Sequence, residues 1–361
     1  MRLPKFLRAS ESLVGLDIGV STLKVVELKR TRTETTVVTL GGAATPEGAL
    51  EGSIVTNPKL LGRAISAPCE ASRVKETRAA IAVPGSSTFS KRLRMPRMPL
   101  PELSHAIRAE AAHFIPDDVA TVKLDFHVLG QVSENDVEVL VVAVKEEVVD
   151  GYLAAATEAG IEVVVVDVDC FALQNCFEAG DASACKRTVG LIDVGSTFSS
   201  INICRAGQSI FTGDMSIGVG ALFEDLSREF SLTWQQARAL ACAGSEEENV
   251  PPQALSIIDA RLESLATECN RQLSFYWKAA GTGDSIDQVV LSGGGACVTG
   301  LAEKIRSKTG IPTEILDPFR GIVMAPGISL RTTGLESPLL GVAIGLALRS
   351  SDDRAAIEYL G

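Results

Sequence analysis

Read for the alternation of apolar and polar positions, the chain divides into strands and helices in a recurring order. Short apolar runs at 14–18, 77–84, 161–166, 190–194 and 286–291 predict strands, those at 77–84 and 161–166 buried on both faces. Residues 34–40 add another strand and 58–67 a short helix. Between 89 and 95 the pattern changes: Phe89, Leu93 and Met95 alternate with Ser90, Arg92 and Arg94, which predicts a two-faced strand with a basic outer side. Lys91 interrupts the alternation, as at a bulge or an edge. Helical spacing follows in Leu103, Ile107, Ala111 and Phe114, introduced by Pro101 and closed by Pro116. Strands at 122–129 and 137–144 precede a helix at 146–159 that buries Val148, Tyr152, Ala155 and Ala159 and stops at Gly160. Further helices are expected at 167–177, twice within 218–244 (the second starting near Trp234), at 253–280, 299–309 and 338–348. The long one carries an inner stripe of Leu255, Ile258, Leu262, Leu265, Cys269 and Tyr276.

Two of the apolar runs end alike. VGLDIGVSTLKVVEL (14–28) and GLIDVGSTFSSINIC (190–204) each pass through Asp-x-Gly, then Ser/Thr, into a second strand. Asp17, Gly19, Ser21 and Thr22 in the first match Asp193, Gly195, Ser196 and Thr197 in the second. The pattern predicts hairpins with glycine turns, which aim backbone N–H groups and hydroxyls outward as a seat for phosphate oxygens. An aspartate beside phosphate repels it, so a bridging divalent cation is implied. A single Asp-Gly turn is most often only a turn. Two similar ones point to a duplicated domain closing on one nucleotide.

Composition narrows the classes. With 361 residues, 46% of them hydrophobic, the chain has material for two lobes. A net charge of −11 argues against nonspecific binding to nucleic acid or anionic lipid. The eight cysteines include no Cys-x-x-Cys pair and there are only three histidines, so buried thiols in a reducing compartment are the plain reading. Residues 1–10 lack the apolar core of a signal peptide, and the apolar helix at 338–348 is far short of the roughly 20 residues of a membrane span. A cytoplasmic protein without direct membrane insertion is expected. Glu246, Glu247 and Glu248 read as a solvated turn.

After the strand at 286–291, Gly293, Gly294 and Gly295 lead to a helix, where bare backbone can approach a flat ligand. In this order the three elements resemble the phosphate 1, phosphate 2 and adenosine motifs of the actin/Hsp70/sugar-kinase ATPases. The stretch MPLPELSHAIRAEAAHFIPDDVATVKLDFHVLG resembles the inserted subdomain of the PilM family of type IV pilus assembly, with FtsA a relative bearing a similarly placed insert. GLDIGVSTLK, DVGSTFSSINI and SGGGACVTGLAEKI fit that family in order; Gly213, where a basic residue is expected before Asp214, and Cys297 depart from it.

The resemblance implies an α/β, actin-like ATPase fold of two lobes with duplicated Asp-Gly hairpin cores and a small α+β insert. Its domains would be a first-lobe core at 11–85, the insert at 86–160, a return at 161–187, a second-lobe core at 188–221 and 286–337, a helical subdomain at 222–285, and a helix at 338–350 packing on the first lobe. It implies ATP with Mg²⁺ held, mainly through water, by Asp17, Asp169 and Asp193. Lys24 would reach the phosphates, and Arg271 and Ser274 the adenosine. Asp169, which also reads as a helix cap, is the one candidate for orienting the attacking water, so turnover is expected to be weak or partner-dependent. The implied partner is the N-terminal cytoplasmic peptide of a PilN-like inner-membrane protein, taken up beside the insert, with Arg92, Arg94 and Arg97 as candidate contacts; self-association stays open. An FtsA-like filament protein and a small-molecule kinase are the competing readings.

Overall fold

A computed structural model of the protein describes residues 12–181, 183–243, 250–280 and 285–350. Glu246, Glu247 and Glu248 lie outside them, as do the sparse basic residues Arg2, Lys5 and Arg8 and the acidic Asp352, Asp353 and Glu358.

The first lobe opens with an antiparallel meander of β1 (Val14–Ile18), β2 (Thr22–Arg30) and β3 (Thr35–Ala44). A minimal hairpin of β4 (Leu50–Glu51) and β5 (Ile54–Val55) leads to α1 (Pro58–Ala71). The side chain of Asn57 caps α1 by accepting the Leu60 N–H at 3.0 Å. Next, β6 (Arg78–Val83) returns parallel to β1. The insert follows, with β7 (Thr88–Pro96), α2 (Leu100–Ala111), β8 (Val122–Gln131) and β9 (Asp136–Lys145) in a sheet ordered β7-β9-β8. Alternate residues Val137, Val139 and Val141 of β9 pack under Leu103 and Ile107 of α2, so the helix covers one face of the insert's sheet. Then α3 (Glu146–Glu158), β10 (Glu162–Val168), which lies parallel to β6, and α4 (Asp169–Gly180) complete the lobe.

The second lobe repeats the scheme. Antiparallel β11 (Thr188–Val194), β12 (Ser199–Arg205) and β13 (Gln208–Met215) precede three helices, α5 (Gly220–Phe230), α6 (Trp234–Ala243) and α7 (Pro252–Ala280). Then β14 (Gln288–Ser292) joins parallel to β11, and α8 (Leu301–Thr309) and β15 (Thr313–Ile315) follow. The chain continues through β16 (Ile322–Met324), α9 (Leu330–Thr333) and α10 (Gly341–Ala347). The two large sheets run β10-β6-β1-β2-β3-β16 and β13-β12-β11-β14-β15. Leu173 and Cys176 of α4 and Ala343 and Ile344 of α10 share a core with Val26 of the first sheet and Leu191 and Val290 of the second. These two helices therefore hold the lobes together, each fully buried leucine contributing about 1.5–3 kcal/mol.

Two boundaries differ from those read in the sequence. The insert does not extend to 160: α3 packs against α1, β5 and β10, and its Val148, Tyr152 and Ala155 enter the first-lobe core with Leu61 and Ile65. Nor does the second lobe run unbroken to 337, because β16 pairs parallel with β3 on the first sheet. In both places the periodicity reports an element but not the sheet it joins. Among the described residues no helix is long and apolar enough to cross a membrane.

Candidate functional site

The two Asp-Gly hairpins are superposable in register. In the first, Ile18 stands opposite Leu23 and Asp17 opposite Lys24; in the second, Val194 stands opposite Ser199 and Asp193 opposite Ser200. Each turn closes in the same way, the Gly19 N–H donating to Thr22 O at 3.2 Å and the Gly195 N–H to Phe198 O at 3.1 Å. A Cβ on Gly19 would fall 2.9 Å from Thr22 O, and one on Gly195 2.5 Å from Phe198 O, so only glycine permits these turns. Thr45 braces the first loop by donating its hydroxyl to Gly19 O at 2.6 Å. The second loop rests on the start of α5, where Val219 and Gly220 donate their N–H groups to Gly195 O and Ser196 O.

Between the hairpins lies a cavity of about 470 Å³. Asp17, Gly19, Ser21, Thr22 and Lys24 line it from one lobe, Asp193, Gly195, Ser196 and Thr197 from the other. Asp169, the first residue of α4, lines it too, with Tyr152 beside it. The three glycines after β14 divide their roles. Gly293 has φ +80°, with its Cβ position only 2.7 Å from Asp193 Oδ1; Gly294 faces open space in the cavity; Gly295 packs under Val194 and does not line it.

The electrostatics of the cavity are dominated by buried carboxylates. Lys24 is buried and ion-paired to Asp17 at 2.8 Å. Asp193 is pushed up to about 6 by burial and by the Asp17 charge, against the pull of Lys24 and a Ser292 hydrogen bond. Asp169 is pushed up to about 8, by burial first and then by Asp193 and Asp214, although its Oδ1 accepts the N–H groups of Gly85 (3.0 Å) and Cys170 (2.6 Å). Burial also pushes Asp214, at the end of β13, up to about 6. Among the described residues no three His, Cys, Asp or Glu side chains group closely enough to ligate one ion directly. If a divalent ion binds in this cavity, Asp17, Asp169 and Asp193 are the carboxylates that could hold it, through water rather than directly.

Some expected contacts fall elsewhere. Arg271 lies outside the cavity, ion-paired to Glu268 (Nε to Oε2 2.7 Å) and over the Phe275 ring at 5.0 Å. Ser274 donates to Asn270 O of its own helix at 2.7 Å. The reason is helical phase: Cys269, Leu273 and Tyr276 of α7 are buried, and Arg271, two residues past Cys269, is turned to solvent. Among the described residues none of α7 lines the cavity; α6 does, with Trp234, Gln235 and Arg238, as do Thr333 and Leu335. Trp234 stands edge-on to Phe223 at 5.3 Å, and Arg238 is ion-paired to Glu336. The only sequence sign of this was an aromatic residue at a helix start. Asp214, absent from the expected site residues, is marked in the sequence only by the family segment in which Gly213 precedes it; its place near the end of β13 comes from the structure.

The three arginines of the insert also part ways. Arg92 is half-buried and pairs with Glu138, while its Nη2 and Nη1 donate to Gln208 Oε1 (3.2 Å) and Ser209 O (3.3 Å) of β13. Arg94 is exposed and pairs with Asp136 at 2.6 Å. Arg97 is exposed, its backbone N–H donating to Asn135 O.

Duplicated sheets, each presenting an Asp-Gly hairpin to one cleft and joined by crossing helices, define the α/β fold of the actin-like ATPases. Residues 15–351 match the family model described as type IV pilus assembly protein PilM, and the chain belongs to that family. Among solved structures it is similar to the PilM-PilN type IV pilus biogenesis complex, with TM-score 0.81 and 28% identity over 94% of this chain and 98% of that one. The ethanolamine utilization protein EutJ from Carboxydothermus hydrogenoformans (TM-score 0.57, 14% identity, 96% of this chain and 90% of that one) shares the fold. So does MreB 5 of Spiroplasma citri bound to AMPPNP, with TM-score 0.54 and 10% identity over 95% of this chain and 96% of that one.

Proposed function

We propose that the protein binds ATP with Mg²⁺ between the two hairpins and acts as the cytoplasmic actin-like component of a type IV pilus assembly platform, receiving the N-terminal peptide of a PilN-like inner-membrane protein. The observation that carries the nucleotide half is the identical register of the hairpins, which brings Asp17 and Asp193 to one cavity with two sets of turn N–H groups and hydroxyls. Ser21, Thr22, Ser196 and Thr197 donate to phosphate oxygens, Lys24 adds a positive charge, and Gly293 and Gly294 leave room for the nucleoside. The base end is assigned to Trp234 and Arg238 rather than to Arg271 and Ser274. Bound Mg²⁺ would neutralise phosphate charge. Asp169 holds the place from which water is oriented, but its Oδ1 already accepts two backbone N–H groups, which supports slow or partner-dependent hydrolysis. Calorimetric titration with ATP, with and without Mg²⁺, tests this half; absence of any binding sinks it.

The partner half rests on family membership and on an open sheet edge. β10 ends the first sheet, so the strand expected to be buried is half open: its Val164 and Val166 are exposed at 37% and 41%. Its last residue, Val168, is in register with Val83, which leads into the insert. An extended peptide added to this edge would gain main-chain hydrogen bonds and two apolar contacts beside the insert, with Arg94 and Arg97 available to acidic groups. The protein would then sit at the inner face of the membrane through its partner. Pull-down with the peptide, comparing wild type with Val166→Asp and Arg94→Glu, tests it; full retention by both variants removes this site.

A further inference from the structure

We propose that Arg92 latches the insert to the second lobe, so that the insert's position governs how readily nucleotide leaves the cleft. This rests on the reading of the cleft as a nucleotide site. The insert is joined covalently to the first lobe alone, through Pro84 and Gly85 at one end and Lys145 and Glu146 at the other. Its sheet nevertheless lies against β13 of the second lobe. Arg92 donates to Gln208 and Ser209, the Ser90 hydroxyl meets the Thr212 hydroxyl at 2.8 Å, and the Gln208 side chain donates back to Leu129 O at 3.0 Å.

The same strand reaches the carboxylates. Asp214, two residues beyond Thr212, lies beside Gly85 at the root of the insert: a Cβ at position 85 would be 2.9 Å from Asp214 Oδ1 and 3.2 Å from Asp169 Oδ1. Gly85 itself donates its N–H to Asp169. Strand β13 thus touches the insert near both of its ends, and the insert's root holds a carboxylate of the cleft. If the lobes part to release a ligand, β13 must slide off β7 or carry the insert with it and draw Gly85 away from Asp169. Either route breaks contacts that hold the lobes in the arrangement seen here. Arg92 Nε is buried without a hydrogen-bond partner, so the guanidinium is held through its two Nη atoms alone. By linkage, a partner that fixes the insert on the second lobe raises the affinity for nucleotide, and nucleotide strengthens the hold on that partner to the same degree; with the latch, the gain for nucleotide comes through slower release.

The test is the dissociation rate of a fluorescent ATP analogue, by stopped flow, from wild type, Arg92→Ala and a Ser90→Cys/Thr212→Cys variant oxidised with diamide. Dissociation is expected to be roughly fivefold faster from Arg92→Ala, if the whole of a coupling at the low end of the usual range falls on the release rate. It should slow when the cysteine pair is cross-linked and recover on reduction, while the single-cysteine controls do not change. Identical rates in the oxidised and reduced double variant overturn the latch, and that comparison stands even if Arg92→Ala fails to fold. If wild type binds no analogue, the nucleotide reading fails and the latch with it; intact binding with unchanged rates removes the latch alone.

Discussion

Asp17 and Lys24 face each other across the first hairpin and are ion-paired at 2.8 Å, both largely out of water. The second hairpin, in the same register, puts Ser200 opposite Asp193 and leaves that carboxylate without a lysine of its own. On the proposed nucleotide reading, this asymmetry gives the hairpins different work: one would bring a positive charge toward phosphate, the other would leave an acid for a cation to neutralise.

Removing Lys24 should therefore cost both stability and binding. Lys24→Met strands Asp17 in a desolvated position, and breaking such a pair costs about 3 kcal/mol. The double variant Asp17→Asn/Lys24→Met should regain most of that stability, since no charge is left unpaired, while nucleotide affinity stays low. Urea unfolding and calorimetry on the three proteins check both parts. Recovery of binding in the double variant would remove Lys24 and Asp17 from the site.

The raised carboxylates make stability of the ligand-free protein fall with pH. Asp169, pushed up to about 8, and Asp193 and Asp214, each pushed up to about 6, hold their protons in the folded state at pH values where the unfolded chain has already lost them. Their contribution is complete below about 4, the ordinary aspartate range, and is lost as pH rises through 6 and then 8. Thermal melts between pH 5 and 8 should show a declining Tm that Asp169→Asn flattens and that Mg²⁺ with ATP opposes. A Tm that rises across this window in wild type and falls with Asp169→Asn would contradict the assignment.

How much of this was legible beforehand depends on what each residue's partners are. The hairpins could be read because their partners are local: Asp17 and Lys24 are seven residues apart on one turn. The glycines after β14 could be read because backbone without side chains has few other uses between a strand and a helix. The lobe that α3 or β16 joins was not legible, because Val148 and Ile322 look apolar whichever core receives them. Arg271 and Trp234 show a third limit. The family resemblance implies Arg271 as an adenosine contact, but the burial of Cys269 and Leu273 turns its side chain away. Arg92 looked like free basic surface because its partners, Gln208 and Ser209, lie more than a hundred residues on.

The glycines of the third element should respond differently to substitution. Gly294→Val places its side chain in open cavity, so the protein should fold normally and lose nucleotide affinity by at least about tenfold, roughly the 1.4 kcal/mol of one modest clash. Gly293→Ala meets Val194 O and Asp193 Oδ1 at a positive φ and should lower the melting temperature even without ligand. Equal affinity for ATP in wild type and Gly294→Val would move the nucleoside elsewhere in the cleft.

Trp234 supplies a direct optical check on the base end. The chain has two tryptophans, Trp234 and Trp277. Trp277 packs against the core of the second lobe, whereas Trp234 lines the cleft and is 38% exposed, its ring braced edge-on by Phe223. A base entering between α6 and the segment around Thr333 would cover that ring and change its emission; stacking on an aromatic side chain is worth about 1–3 kcal/mol. ATP should therefore shift or quench fluorescence in wild type and in Trp277→Phe, but not in Trp234→Phe. Tripolyphosphate, which occupies the hairpins without a base, should leave the emission unchanged. Trp234→Ala should weaken ATP about tenfold while leaving tripolyphosphate binding as it was. A full ATP-induced change that survives in Trp234→Phe would remove the base from α6.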